Sequence, residues 1–600
     1  MMNLKQGYRY YIADCPTEIE LMGEKNKGGK LILLSSNVGF ERLLGLDSPY
    51  AFYDEFIRKE DERSIVANVQ EFLWSWFVDD SGNDISRFKE CSLGLSFVGP
   101  VEVLITTIQR YLFAFRNLLT QKDEVYIASN TEDIFITVIH SLQREIGFRL
   151  HVVGNDDSPE IANAASWDPD LRKYFLANDF LRRKSYAVIV GWISRAFSLF
   201  AARKDRVLLM PAGKLDAYYY DYLLRNSEIN YVLPLRYGIK SFILNPTKLN
   251  KCFYFHSVGW SVLKNIKSMI DALKFNIVSK VNWIESNCLI DILDRHIFRY
   301  FEGAAKYYLN VRDVLLNTKP KLLVASVESW PTQVLAAQAA KSLNILTAVI
   351  PHGLCGKTYK PLRVGERRVF DLCLAFGNND VMECLDKGVE RERIFVSSFP
   401  YFSRFLPLRE KSTQQNIRPK VLILVPDFSN ISPDSSIKEL YSFMTDVVTM
   451  LVNRGSEIIG FKGRNDDFFS RLGFSDGVKI GDENYCLITG YEAFPQVAIK
   501  ADFIIGPLST SVMEAGLLGV DYYAYKSINQ DLVPSISKSV YKILHVAKNI
   551  DQLQDNIAQK HTYQEGYSIE DLISLKNVHS PQELFTKFED ALHEVVNSCV

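Results

Sequence analysis

Cysteine is sparse here: nine residues are scattered over 600, at 15, 91, 252, 288, 355, 373, 384, 486 and 599. The count is odd and no Cys-x-x-Cys pair occurs, which excludes a small disulfide scaffold and points to reduced thiols in a cytoplasmic compartment. Charge of one sign is not in excess either. Lys plus Arg number 69 against 71 for Asp plus Glu, a formal net charge of -2. That balance excludes wholesale nucleic-acid binding and leaves open only a local basic groove. No uncharged apolar run reaches the ~20 residues that span a bilayer. The start, Met1-Met2-Asn3-Leu4-Lys5-Gln6, leads into a polar stretch with no apolar signal core. The nearest approaches to a span are residues 186–202, interrupted by Arg195, and 104–119, interrupted by Arg110 and Arg116. Each suits a helix packed on its own domain, the commoner case, or an amphipathic helix lying on a membrane surface.

What is present is the balance of a soluble globular protein, 47% hydrophobic and 23% charged. The length exceeds what one core serves, so two or more domains are expected. Residues 8–13, 30–34, 124–128 and 151–154 read as strands, with a helix over 133–147, and this alternation argues for a parallel wound sheet. Residues 156–315 are less regular, with long helical stretches over 171–202 and 261–310 around one short strand at 207–211. From Pro320 the alternation returns: strands at 321–326, 346–350, 371–376 and 394–396, with helices over 331–343 and up to 387. The polar stretch 403–419 lacks apolar periodicity and reads as a linker. Beyond it, strands are expected at 421–425, 457–461, 486–489, 502–505 and 521–525, with helices at 436–453, 511–518 and 581–597. The expected fold class is α/β, two Rossmann-like wound domains facing across a cleft. The boundaries are an acceptor-side domain over 1–402 with a helical insertion at about 156–315, the linker, a nucleotide-sugar-binding domain over 420–545, and C-terminal helices over 546–600 that cross back.

Ligands of wound sheets gather at the carboxyl ends of the strands, and three such ends carry unusual residues. The first is Gly506-Pro507-Leu508-Ser509-Thr510-Ser511, followed by Glu514. A strand, a Gly-Pro turn and three hydroxyl residues opening a helix suit a phosphate, which takes free N–H groups and the positive end of the dipole. Glu514 is placed to accept from a ribose hydroxyl. A capping box of Ser511 and Glu514 accounts for those two residues alone. The second is Lys462-Gly463-Arg464, two cations that suit a diphosphate, or a solvated turn. The third is Pro351-His352-Gly353, an imidazole that suits a general base, although a lone histidine is more often structural. Glu328 and Asp133 are further candidate bases, and each also suits a helix-capping acid. The scattered acids form no metal signature, so no metal is expected.

Together these motifs resemble a GT-B superfamily of bacterial surface-polysaccharide enzymes, which includes CDP-glycerol glycerophosphotransferases and the capsule polysaccharide and polysialic acid transferases. Those proteins run strand, helix, strand and a Gln-His-Gly turn, similar to Pro351-His352-Gly353 here. They continue with Asp-x-x-x-x-x-Gly and Gly-x-x-x-x-x-Ile elements, similar to 371–377 and 388–394. A hydroxyl-rich helix start then leads into Glu-Ala, similar to Ser509-Thr510-Ser511 and Glu514-Ala515. The resemblance covers about 320–526. It implies a sugar or polyol-phosphate transferase using a nucleotide-activated donor, with His352 serving acceptor or leaving group and Ser509, Thr510, Ser511 and Glu514 holding the donor. One departure stands out: the family's His-Pro pair after a lysine is here Gly463-Arg464.

The resulting expectation is a metal-independent glycosyltransferase building a surface polysaccharide, in the cytoplasm or at the inner face of the membrane. Catalytic candidates are His352, Glu328 and Asp133; donor-binding candidates are Lys462, Arg464, Gly506, Ser509, Thr510, Ser511 and Glu514. No cofactor is expected beyond the nucleotide-sugar co-substrate. The expected partners are that donor, a glycan or lipid-linked glycan acceptor and a peripheral membrane contact, with no nucleic acid. Inversion is favoured because paired glutamates eight positions apart are missing, while Asp521, seven positions after Glu514, keeps retention open. A polyol-phosphate transferase, a nucleotide-sugar epimerase and a non-catalytic binding module are the alternatives.

Overall fold

Strands whose residues are apolar in unbroken runs have to be covered on both faces, and the chain builds three sheets of such strands. The computed structural model describes residues 7–13, 29–34, 50–129, 131, 133–153, 206–210, 230–234, 252–253, 263–326, 330–350, 369–386, 388–397, 400–411, 418–425, 437–463, 478–480, 483–488, 493–509, 511–525, 544–565 and 580–598, with single positions at 18, 171 and 175.

Sheet one contains β1 (Arg9–Ala13), β2 (Lys30–Leu33), β3 (Tyr50–Phe52), β4 (Glu124–Ala128) and β5 (Arg149–Val153), in the order β3-β2-β1-β4-β5. Its helices are α1 (Lys59–Ser75), α2 (Val98–Leu118) and α3 (Asp133–Ile146). Sheet two contains β6 (Arg206–Met210), β7 (Asn230–Pro234), β8 (Cys252–Phe253), β9 (Leu322–Ala325), β10 (Leu346–Val349), β11 (Leu372–Ala375) and β12 (Ile394–Val396), in the order β8-β7-β6-β9-β10-β11-β12. Between β8 and β9 lie α4 (Leu263–Lys280), α5 (Ser286–His296) and α6 (Phe301–Thr318); α7 (Pro331–Lys341) follows β9 and α8 (Asn378–Asp386) follows β11. Sheet three contains β13 (Lys420–Leu424), β14 (Glu457–Lys462), β15 (Leu487–Ile488), β16 (Phe503–Pro507), β17 (Asp521–Tyr525) and β18 (Val546–Ala547), in the order β15-β14-β13-β16-β17-β18. It carries α9 (Ile437–Asn453), α10 (Ser511–Leu518) and α11 (Ile550–Gln559), and α12 (Pro581–Ser598) comes last.

All neighbouring strands in the three sheets pair in parallel. In each, the first strand lies inside the sheet and the chain winds outwards first one way and then the other. This is the doubly wound pattern, with a switch point beside the first strand. The two-residue alternation of strand side chains then sets the layers. Leu208 and Met210 of β6 share a core with Tyr10 and Ile12 of β1, whereas Val207 and Leu209 share one with Leu422 and Leu424 of β13. Sheet two therefore packs towards both of the others. Leu584, Phe588, Leu592 and Val595 of α12 lie in the core between sheets two and three, and α12 packs on β12 and on the turn Pro400–Arg404.

The α/β parallel architecture is as the sequence predicts, and there is one sheet more. Strands β6, β7 and β8 fall in the stretch read as a helical insertion at about 156–315, so sheet two begins there. The run Asn230-Tyr-Val-Leu-Pro is too short for periodicity to separate strand from helix, and two-residue β8 is a strand only through its pairing with β7. The single helical stretch expected over 261–310 is instead divided among α4, α5 and α6. The described part of the linker read at 403–419 is folded: 3₁₀ turns cover Pro400–Arg404 and Leu406–Lys411, with Phe402, Phe405 and Leu406 buried. The stretch 104–119 is most of α2, the packed alternative: Arg110 is buried against Glu62 of α1 at 2.9 Å, and Arg116 pairs with Glu145.

Candidate functional site

The switch point of sheet three lies between β13 and β16, and the carboxyl ends of its strands carry the residues singled out in sequence. Strand β16 runs through Gly506 to Pro507, whose partner in β17 is Tyr525, so the Gly-Pro pair is strand rather than turn. Gly506 is there because nothing larger fits. A Cβ on it would lie 2.6 Å from the Tyr522 hydroxyl and 2.8 Å from Leu424 Cβ. The position serves the packing of β17 on β13.

Ser509 and Ser511 open α10. Ser509 Oγ accepts from the Ser511 N–H at 3.3 Å, and Ser509 O accepts from the Val512 N–H at 3.1 Å. The Ser509 hydroxyl also bonds the Tyr522 hydroxyl, which donates to Pro507 O at 2.6 Å. Burial pushes the Tyr522 phenol well above its usual range. Ser509 thus caps the first turn of α10 through a 3.3 Å bond, at the long end for N–H···O.

Glu514 is only 8% exposed. The Tyr401 hydroxyl donates to its Oε1 at 2.7 Å, and Ser511 bonds the same carboxyl. Burial raises the Glu514 pKa, opposed by Tyr401, Arg404, Lys462 and Ser511. Lys462 ends β14 and is as deeply buried as Glu514. Its Nζ donates to Gly463 O at 2.8 Å and lies 5.5 Å from the centroid of the Phe494 ring. It is no solvated turn residue.

A bulge aims this lysine. The register of β14 against β13 slips between Ile458 and Gly460, which takes φ +154°, and a Cβ there would meet Ile488 Cδ1 at 2.8 Å and Cys486 O at 2.9 Å. Bulges re-aim the side chains that follow them, and the interior glycine of Ile-Ile-Gly-Phe-Lys is the sequence signal that marks this one. The chemistry available at the site is that of a cation, a buried carboxyl and a helix start gathered at one end of a parallel sheet.

Sequence reading missed Tyr401 and Arg404. Arg404 stacks 4.7 Å from the Tyr401 ring centroid and 4.9 Å from that of Phe405. The signal was the aromatic run Tyr401-Phe402-Ser403-Arg404-Phe405, which polar neighbours on its C-terminal side obscured.

Asp133 lies elsewhere, in the first turn of α3 on sheet one. Its Oδ2 is 3.1 Å from His296 Nε2 and 3.2 Å from an Arg295 guanidinium nitrogen. Burial would raise its pKa, but His296 and Arg295 outweigh that and lower it. Asp133 ties α3 to the end of α5 and is held in the form of a weak base. His352, Glu328, Arg464 and Thr510 lie outside the described residues. Among the described residues, no three His, Cys, Asp or Glu side chains gather as a metal site, and no helix is long and apolar enough to cross a membrane.

No protein-family model matches the chain, and no curated protein matches it. Solved structures do resemble it. A UDP-GlcNAc 2-epimerase from Neisseria meningitidis bound to UDP-GlcNAc is 12% identical, with a TM-score of 0.36 over 66% of this chain and 98% of that one. The lipopolysaccharide outer core galactosyltransferase WaaB is 13% identical, with 0.37 over 65% and 99%. The wall teichoic acid polymerase TagF is 12% identical, with 0.34 over 72% and 97%. At such scores these are partial likenesses, and the wound α/β architecture rests on the strand orders themselves.

Proposed function

We propose that this protein is a GT-B-type glycosyltransferase that moves a sugar from a nucleotide-activated donor to a growing surface glycan, with the donor held at the start of α10. The observation that carries the reading is the convergence of Lys462, Ser509, Ser511 and Glu514 at the switch-point end of sheet three, where wound sheets take their ligands. The order of the short motifs over 320–526 supports it independently.

In this reading the diphosphate of the donor sits over the first turn of α10, where an anion is favoured by the helix dipole and by main-chain donors. Lys462 adds the compensating charge. An acceptor hydroxyl attacks the anomeric carbon, its proton passes to a base, and the bond to the diphosphate oxygen breaks with its electron pair leaving on the nucleotide. Stabilising that departing charge with fixed donors is the largest contribution a site of this type makes. His352 and Glu328 are the bases we assign from the sequence.

The test is a thermal-shift screen with CMP, CDP, UMP, UDP and GDP, since a ligand that binds only the folded state stabilises it according to its affinity. A shift with one base, reduced in Lys462→Met, is expected. No shift with any of the five sinks the donor reading. Incubation with a UDP-sugar alone separates the alternative, because an epimerase turns over without acceptor.

A further inference from the structure

Helix α10 has eight residues, too few to hold a helical orientation by propensity alone, so tertiary contacts have to fix it. One contact at its first turn comes from outside sheet three. Tyr401 lies on the 3₁₀ turn Pro400–Arg404, on the chain leaving β12 of sheet two, and its hydroxyl donates at 2.7 Å to Glu514, 113 positions away. The tyrosine has little freedom. Its ring is wedged against Phe402, Phe405 and the Arg404 guanidinium, and the turn that carries it packs on α12. The following turn, Leu406–Lys411, packs on α10 directly. The segment leaving sheet two therefore holds the carboxyl that the first turn of α10 projects.

We propose that Tyr401 is a positioning residue for the donor seat: it acts through Glu514 to set the orientation of the first turn of α10, and so couples the segment leaving sheet two to donor binding. This rests on the donor reading above. The charged and titratable groups facing Glu514 are Tyr401 and Arg404 from the turn, Lys462 from the end of β14, Ser511 from α10 and Tyr522 from β17. An ionised Glu514 one turn below an anion opposes its binding, so nucleotide affinity falls as pH rises through the titration of Glu514. Losing the Tyr401 hydroxyl removes a group that favours the ionised form and moves that fall to higher pH.

The experiment is calorimetry with whichever of CMP, CDP, UMP, UDP and GDP stabilises the wild type most, from pH 5 to 9, on wild type, Tyr401→Phe and Glu514→Gln. Tyr401→Phe keeps the ring and its stacking. Expected are an affinity loss of about tenfold at the low-pH plateau and a pH midpoint displaced upwards. Glu514→Gln should remove the pH-dependent fall altogether. Tyr401→Phe binding within twofold of wild type at an unchanged midpoint overturns the inference. If the wild type binds none of the five nucleotides, the donor reading fails by itself. Amide exchange across α10 in the unliganded protein then decides the anchor: faster exchange in Tyr401→Phe upholds it, and unchanged exchange overturns it.

Discussion

Gly506→Ala measures how tightly the floor of the site is packed. The new methyl would stand 2.6 Å from the Tyr522 hydroxyl and 2.8 Å from Leu424 Cβ. Leu424 Cβ sits on the backbone of a central strand and has no slack, while the Tyr522 hydroxyl is held by Pro507 O at 2.6 Å. Overpacking of a filled core costs about 1–3 kcal/mol, and a buried hydroxyl left without its partner adds about 1 kcal/mol or more. The sum is about 2–4 kcal/mol, local to β13, β16 and β17. Hydrogen exchange read by mass spectrometry is the suitable assay, because a chain with three sheets does not unfold in one step and local opening reports each region separately. At 1.4 kcal/mol per tenfold, the slow amides of β16 and β17 should exchange about 30-fold to several hundred-fold faster, with sheet one unchanged. An increase below about threefold would mean that the strand yields at little cost, and the packing account of Gly506 would be wrong.

Two further outcomes follow from the charged groups. Asp133→Asn should lower stability by about 1 kcal/mol at neutral pH, through loss of its helix-start and ion-pair contributions. Because the folded-state pKa of Asp133 lies below its ordinary value, that stability is present above the unfolded pKa and lost as pH falls through the folded one. Unfolding curves of the two proteins should therefore converge towards acid. A variant that keeps full stability but loses transfer would restore Asp133 as a base. At the other end of the chain His545 stacks on His561 with ring centroids 5.1 Å apart, and its pKa is lowered by burial and then by His561. His561→Ala should move the His545 titration upwards in an NMR pH series. Since a lowered imidazole pKa makes the unfolded chain the better proton acceptor, the fold loses stability as pH falls through the ordinary histidine range, less so in the variant. An unmoved His545 resonance would refute the coupling.

The third sheet was the most legible part of the sequence. Strand β17 and helix α10 have the bounds expected, and β13, β14 and β16 lie within two residues of theirs. Buried parallel strands are short apolar runs between clear helical stretches, and both signals are local. The same holds for the four strands from β9 to β12. Local signal failed where pairing makes the element: β3, β7 and β8 are short, and their neighbours in sheets one and two define them. It failed again at 403–411, where apolar side chains without a period fold because α10 and α12 pack against them.

What the sequence determined by itself was composition of period: which stretches are strand, which are helix, and that hydroxyls and a carboxylate stand at the start of α10. What only tertiary structure decided was who meets whom. The Tyr401 hydroxyl reaches Glu514 across 113 positions, Gly506 is a matter of room beneath Tyr522, and Lys462 is aimed by a bulge whose slip exists only against β13. Periodicity is written within a few turns of chain, whereas burial, charge pairing and close approach depend on distances that no stretch of sequence fixes until the sheets have packed.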